Sequence, residues 1–533
     1  MKTTQSTQQL EALLHIISTV DTQLEEAILY KWPVKKTLDM LLPKALNLLE
    51  AQAIMVRTFD ETSEQVDFIA PTQTPLSSLL SPDEIDALCD TIQTQNTALL
   101  HLDQHLVLGY RLDVSTTYLG AVVLVYHDKD ASSDDVHHLE KRLLYWSEAL
   151  DNYLAAVADA RRKHTALQQL SDALRTPILD RGIDDAITTL KNYLPFSDLI
   201  LTLKYEANLD LDTINYRIIT ADQTVHSSAS SSPRSDQHQQ AILNTFDGTH
   251  DELVKFYNLN ASRTTINILD AHDQAIVGHI SIHAEHHHLT PFALDLLDRF
   301  ADYIRQRIVD FNKEWKHLAR NFPLATVRRL LQHEDYNQRF LSARERNVTI
   351  MYCDISGFTK LSEQILKEPA LIGKLIDIWS SQVVEFIWDS GGVFDKMVGD
   401  CIIGLWGPPF YERSPEEDCA AALDASQKIQ TYTNNLLSHP ELPELHGKDI
   451  EIGVATGLNH CSLFVGTFGP DDNFTGFSSG MNNTARLQGV ATRNEILCMD
   501  SFVHTLNTPE RFGDELLAQV KNVEHPIKYR KIL

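Results

Sequence analysis

A chain of 533 residues has room for roughly three or four domains, and 43% hydrophobic against 22% charged residues is the balance of a globular protein. The formal net charge of −27 argues against nucleic acid or an acidic lipid surface as the main partner, so a polyphosphate ligand needs metal ions or a few placed cations. Six cysteines (Cys89, Cys353, Cys401, Cys419, Cys461 and Cys498) form no CxxC pair and no disulfide-like spacing, the N-terminus is polar, and no apolar run approaches twenty residues; this suits a reduced, cytoplasmic protein without signal peptide or membrane span.

Residues 1–9 read as a tail. Leu10–Ile28 and Pro33–Leu49 are expected to be amphipathic helices, with Pro33 near the first turn of the second. Runs of strand length follow at Ala51–Phe59, Val66–Ala70, Leu99–Leu102, Leu106–Leu112 and Tyr118–Tyr126, interrupted by a helix at Pro82–Gln93. From Asp134 to about Leu170, Val136, Leu139, Leu143, Trp146, Leu150, Tyr153 and Val157 step by three or four. That stripe fits a coiled-coil seam and a helix packed on its own domain equally.

A second unit repeats the first: a helix at Ile183–Leu194, strands at Leu199–Tyr205 and Ile214–Thr220, a polar low-complexity loop at His226–Ser235, a helix at Asp236–Asn244, and strands at Thr264–Leu269 and Ala275–His283. Its closing GHISIHA echoes YLGAVVLVYHD of the first. His283, Glu285, His286, His287 and His288 invite a metal or haem reading, but no second ligand cluster accompanies them and a solvated loop is preferred. Thr290–Leu318 carries Leu297, Phe300, Ile304, Ile308, Phe311, Trp315 and Leu318 at helical spacing, which suits a parallel two-stranded coil ending at Phe322-Pro323. A short helix is expected at Val327–Leu331.

The chemistry is concentrated after residue 345. Val348–Cys353 is a buried-strand run that ends at Asp354, followed by a Ser356-Gly357 turn and, from Phe358 and Thr359, a helix reaching Asp389. An aspartate leaving a buried strand beside such a turn suits a metal and an anion, although Asp-Ile-Ser-Gly is also ordinary turn chemistry. Strands at Val393–Val398 and Cys401–Trp406 are joined by a Gly399-Asp400 hairpin turn, so Asp400 stands at a tip where it can converge with Asp354 on a pair of hard divalent ions. A helix at Pro415–Leu437, strands at Ile450–Gly457 and Leu463–Thr467, and a helix from Met481 complete a βαββαβ order, that of a ferredoxin-like palm. On the last helix Asn482 and Arg486 are four residues apart and share a face, which suits a ribose and a phosphate as well as plain surface polarity.

The order of elements over roughly Leu10–Asp310 resembles a pair of GAF sensor domains, without the Asn-Lys-Phe-Asp-Glu signature of those that bind cyclic nucleotides. Any sensor ligand is an unknown small molecule, or the units only dimerise. From about Asn347 to Leu533 the chain resembles the class III nucleotide cyclase catalytic domain, through YCDISGFT (Tyr352–Thr359), DKMVGD (Asp395–Asp400), Thr456–Gly469 and the Phe474–Leu487 helix region. The whole therefore reads as an α+β chain: sensor domains at 10–160 and 161–310, a coiled connector and transducer over 290–335, and a cyclase palm at 345–533.

The resemblance implies an adenylyl cyclase using two Mg²⁺ or Mn²⁺ ions at sites shared by a parallel homodimer. By it, Asp354, Ile355 and Asp400 hold metal, Phe358 and Thr359 lie at the substrate, Lys396 and Thr475 meet the adenine edge, Asn482 orients the ribose, and Arg486 stabilises the transition state. Guanylyl members usually carry Glu and Cys where Lys396 and Thr475 stand, so ATP is the implied substrate. Thr475 also resembles the bicarbonate-responsive branch; equal activities with and without bicarbonate at fixed pH would dispose of that hypothesis. Ser478, Ser479, Gly476, Asn483 and the stretch Asn459–Leu463 depart from the family pattern. The competing readings are a guanylyl or pyrimidine cyclase and a nucleotide-binding pseudoenzyme. A diguanylate cyclase is disfavoured because Val-Phe-Asp follows Gly391-Gly392.

Overall fold

The structure is a computed structural model that describes residues 18 and 20–533, apart from 61, 72–79, 103–104, 115–116, 128–132, 205–213, 229–234, 270–275, 285–288, 448–450, 471 and 521–525. The expected tail, half of the first helix, most of the polar loop at 226–235 and the run Glu285–His288 lie outside the described residues; 20–29 are helical. The chain divides into two compact units, one of Met1–Ser171, Thr189–Pro195 and His286–Phe300, the other of Asp172–Thr188, Phe196–Glu285 and Ala301–Leu533. Among the described residues no helix is long and apolar enough to cross a membrane.

In the first unit, β1 (Ala53–Phe59), β2 (Gln65–Ala70), β3 (Thr97–Leu102), β4 (His105–Val114) and β5 (Thr117–Tyr126) form an antiparallel sheet in the order β2-β1-β5-β4-β3. Alternation sorts its side chains. Ile54, Val56, Val122 and Leu124 face a core with Leu38 and Leu42 of helix Val34–Leu49 and with Trp146 and Tyr153 of the 42-residue helix Ser133–Leu174. Met55, Val107 and Val123 face helix Pro82–Gln95, which starts at a Ser81–Glu84 capping box. Leu143, Trp146, Leu150 and Tyr153 thus belong to a domain core, which decides between the two readings of their stripe.

In the second unit, β6 (Phe196–Leu203), β7 (Asn215–Ile219), β8 (Val225–Ser227), β9 (Thr264–Leu269) and β10 (Ile276–Ala284) run in the order β8-β7-β6-β10-β9. Both sheets set their first strand between their second and last strands, as the echoed closing strands suggest. The short strand β8 and helix Asp251–Phe256 have no counterpart in the sequence reading. The helix Pro291–Leu318 corrects an expectation. Its stripe from Leu297 to Leu318 is at most 8% exposed within one chain, so it is covered by its own chain where a seam between two copies was expected.

The remaining sheet is built on β11 (Arg344–Ser356), flanked by β13 (Cys401–Trp406) and β14 (Gly453–Phe468); β12 (Val393–Val398) borders β13, β15 (Asn473–Phe477) pairs with β14, and β16 (Glu495–Met499), β18 (Ile527–Lys531) and β17 (Leu516–Ala518) extend the far side. Helices Pro369–Asp389, Pro415–Asn434 and Asp500–Leu506 cover one face, with Met351, Cys353, Ile355, Trp379, Ile402, Trp406 and Phe502 in a dry core. Trp379 and Trp406 still place their indole N–H groups, on Thr433 (2.9 Å) and Ser390 (3.0 Å).

Two boundaries differ from expectation. The helix after Asp354 is a turn at Phe358–Lys360 and an irregular turn at Leu361–Leu366, then a new helix, because Lys367 is left-handed (φ +60°) and Pro369 restarts the helix. The two strands expected at Ile450–Gly457 and Leu463–Thr467 are one 16-residue strand. The polar residues between them suggest a break, but neighbouring elements satisfy them: Asn459 accepts from Ser501 (2.8 Å), His460 bonds Thr349 (2.9 Å), and Ser462 donates to Glu345 (2.7 Å).

Candidate active site

β11 carries Asp354 to the sheet end on the face opposite Cys353 and Ile355, because side chains alternate along a strand. β13 pairs antiparallel with β11, Cys353 opposite Ile402, so the β12–β13 hairpin tip arrives beside Asp354. At that tip Gly399 takes φ +66° and Asp400 does not, as a Gly-X turn requires. The result is a cleft of about 450 Å³ that holds Asp354, Ile355, Phe358, Thr359 and Asp400 together.

Asp354 is the perturbed group. Burial and then the adjacent Asp400 carboxyl push its pKa up to about 7, while the Ile355 backbone N–H and the Gln488 side chain pull the other way. Its Oδ1 is buried and without a hydrogen-bond partner. An acceptor left bare beside a second carboxylate fits a cation. Among the described residues no three or more His, Cys, Asp or Glu converge on one point, so two carboxylates and a backbone carbonyl would leave most of an ion's shell to phosphate and water, as suits Mg²⁺. His283, from the histidine-rich stretch, instead donates Nδ1–H to the Ser262 carbonyl.

A second group forms elsewhere. Lys396 on β12 donates to Thr475 Oγ1 on β15 at 2.8 Å. Between them lies Asp395, 6% exposed, with Lys396 Nζ 3.5 Å from its carboxylate and neither oxygen in a well-formed hydrogen bond. Burial pushes the Asp395 carboxyl up, against the pull of the Thr475 hydroxyl and the Lys396 ammonium. β12 bulges at Asp395: Phe394 opposes Gly404 and Lys396 opposes Ile403. A bulge turns the next side chain out of the regular alternation, and here it aims Lys396.

Asn482 and Arg486 ride on helix Ser479–Gln488, which Ser478 caps by accepting from Met481 N–H at 3.2 Å. Asn482 is exposed and Arg486 half-buried, its Nη1 donating to Asn483 at 3.1 Å. The helix lies directly on β14 because Gly457 has no side chain; a Cβ there would stand 2.8 Å from Gln488 N. None of Lys396, Thr475, Asn482 and Arg486 lines the carboxylate cleft. The expected residues therefore gather in separate groups on one chain.

Sequence reasoning missed Asp395, although it lies inside the DKMVGD run, because nothing in that run marks an aspartate as buried. It also missed Gln488 and Arg493, which line the cleft from the far end of the helix and beyond; Arg493 brings a cation there, paired to Glu451 at 2.5 Å. No spacing in the sequence points to either residue.

No family model matches the chain. It is 27% identical over 182 residues, 33% of this chain and 34% of the relative, to an adenylate cyclase of Anabaena cylindrica. The chain spans about a third of the length of the curated relatives it matches first. Among solved structures it resembles the adenylyl cyclase CyaB of P. aeruginosa (22% identity, TM-score 0.32, covering 36% of this chain and 96% of that one). It also resembles the guanylyl cyclase Cya2 (22%, TM-score 0.31, covering 36% and 93%).

Proposed function

We propose that the region from 345 to 533 is a class III nucleotide cyclase domain converting ATP to 3′,5′-cyclic AMP and pyrophosphate. The observation that carries the reading is the Asp354–Asp400 pair: two adjoining carboxyls in an open cleft, one with a buried, unpartnered oxygen. In this reading Asp354, the Ile355 carbonyl and Asp400 hold two divalent ions, Mg²⁺ or Mn²⁺. When bound, these supply Lewis-acid activation of the ribose 3′-hydroxyl and offset triphosphate charge. Phe358 and Thr359 line the wall beside the phosphates, and Arg493 adds a cation at the rim.

The remaining work falls to the other group. Lys396 has N–H donors left after its bond to Thr475 and turns one to the adenine ring nitrogen; the Thr475 oxygen meets the 6-amino group. Asn482 fixes the ribose so that its 3′-oxygen lines up with the α-phosphorus. The 3′-oxygen–phosphorus bond forms, the bond to the pyrophosphate oxygen breaks, and the hydroxyl proton passes to water. Arg486, preoriented by Asn483, faces the phosphoryl oxygens where charge builds, and a fixed donor there lowers the barrier most.

Because these residues stand outside the carboxylate cleft of their own chain, the site is completed by a second copy. Val398, Phe464 and Phe477 are 63%, 48% and 55% exposed, and this apolar surface near the β12–β13 tip and the β14–β15 hairpin supports such a contact. The two sheets of the N-terminal part act as sensors on this activity.

The test is direct. Purified protein with Mg²⁺ or Mn²⁺ is given each of the four nucleoside triphosphates and the products are resolved. Cyclic AMP and pyrophosphate from ATP are expected; cyclic GMP as main product would overturn the base assignment, and no cyclic product from any substrate would overturn the reading.

A further inference from the structure

The helix Pro291–Leu318 ends in a segment whose bonds converge on the strands that carry Lys396 and Thr475. Asn321 Nδ2 donates to the carbonyls of Phe394 (2.8 Å), Asp395 (3.2 Å) and Phe474 (3.4 Å). Its own carbonyl accepts from the Phe394 N–H (3.0 Å) and the Trp388 indole (3.1 Å). Phe322 meets Phe474 edge to face at 4.9 Å, and His317 donates to the Asp472 carbonyl at 3.0 Å. Phe394 and Asp395 are the two residues at the bulge, and Phe474 immediately precedes Thr475. A bulge takes backbone groups out of the ladder, and those groups need partners when they leave water. One amide group supplies them for β12 and, with the same nitrogen, reaches β15.

We propose that Asn321 is a positioning residue that sets base selection: it holds the bulge that aims Lys396 and fixes β15 beside it, so that the ammonium and the Thr475 hydroxyl keep one spacing. The inference rests on the assignment of Lys396 and Thr475 to the nucleotide base. A side chain with the same shape and no donor is the sharpest probe. In Asn321→Asp a carboxylate faces carbonyl oxygens that accept only, so the contact turns repulsive, whereas Asn321→Ala merely removes it.

The experiment measures kcat and KM for ATP and for GTP in the wild type, Asn321→Ala and Asn321→Asp, with unfolding midpoints and amide hydrogen exchange of the same proteins. Misplacing contact groups by about 1 Å costs on the order of 10²-fold. The ATP-over-GTP ratio in kcat/KM is therefore expected to fall at least tenfold in Asn321→Asp and less in Asn321→Ala, mainly through KM for ATP. Exchange is expected to rise at residues 393–398 and 473–477 and not at 344–356. An unchanged ratio and KM beside a lowered midpoint would overturn the proposal and leave the cyclase reading intact. If the wild type made no cyclic nucleotide, the cyclase reading would fall, and with it the role in base selection. The exchange arm would still decide whether Asn321 holds the two strands, and unchanged exchange would overturn that as well.

Discussion

The Asp354 cleft and the Lys396–Thr475 group belong to one sheet, yet they are finished to different degrees. The cleft is open, its two carboxyls repel, and a buried oxygen of Asp354 has no partner. The Lys396–Thr475 group is already closed by a 2.8 Å bond and is tied through Phe394, Asp395 and Phe474 to Asn321. In the cleft two acids adjoin; in the other group the buried Asp395 carboxyl also lacks a well-formed hydrogen bond, but the Lys396 ammonium stands 3.5 Å from it. Recognition of a planar base depends on fixed donors and acceptors; binding of ions depends on uncompensated charge. On the proposed assignment of base and ions, the two groups suit these different tasks.

The largest break in this contrast is expected at the carboxylates. Asp354→Ala is expected to lower kcat by about 10³-fold or more, because on the proposed reading the ions that would offset the triphosphate charge would lose a ligand. The same change does not lower the thermal midpoint at pH 8. Burial and Asp400 raise the folded-state pKa of Asp354 to about 7, so ionisation of Asp354 opposes folding increasingly as pH rises from its unfolded value through 7, and removing the group lifts that penalty. Activity and melting curves of one preparation check both halves of the statement. Arg486→Ala follows, with kcat down by roughly 10²–10³-fold and a KM for ATP changed much less, since its contact strengthens as the transition state forms. Next comes the base half: Lys396→Glu with Thr475→Cys is expected to lower the ATP-over-GTP preference by about 10–10²-fold, read from kcat/KM for each nucleotide.

The smallest effect sharpens the contrast from outside the site. Asp151 is 7% exposed in the first unit, and its pKa too is pushed up to about 7 by burial, against a backbone N–H of Asp113. Its Oδ1 has no hydrogen-bond partner, but it lies among the helix and sheet residues of a domain core, where the Asp113 and Glu148 carboxylates add only a smaller upward push to that of burial. An unfolded aspartate releases its proton near pH 4 and the folded one near 7, so the stability cost of Asp151 grows between those values and is complete above 7. Asp151→Asn is therefore expected to stabilise the protein at pH 8, by at most about 4 kcal/mol, and to change little at pH 4. Denaturant unfolding at the two pH values checks it, with cyclase activity unaffected.

Much of this was legible in the residues. Strand alternation and the Gly399-Asp400 pair located the hairpin, and the run ending at Asp354 located the partner carboxyl, because local propensity and burial agree there. The repeat of sheet order in the two N-terminal sheets was legible from their echoed last strands. What misled were polar residues whose partners come from elsewhere in the chain. Asn459, His460 and Ser462 look like a strand break until Ser501, Thr349 and Glu345 satisfy them. The apolar stripe on Pro291–Leu318 looks like an intermolecular seam until its own chain covers it. Asn321 carries no local signal, since its role is set by carbonyls some seventy to one hundred and fifty residues away.

The division of labour between copies is tested most directly by mixing. Asp354→Ala and Arg486→Ala are each purified inactive, combined in equal amounts, and assayed with ATP and Mn²⁺. One hybrid site then has both carboxylates from one copy and the arginine from the other, so about a quarter of wild-type activity is expected by random pairing of the copies. Activity that stays at the level of the separate variants, in a mixture shown to exchange subunits, would contradict a site shared between two chains.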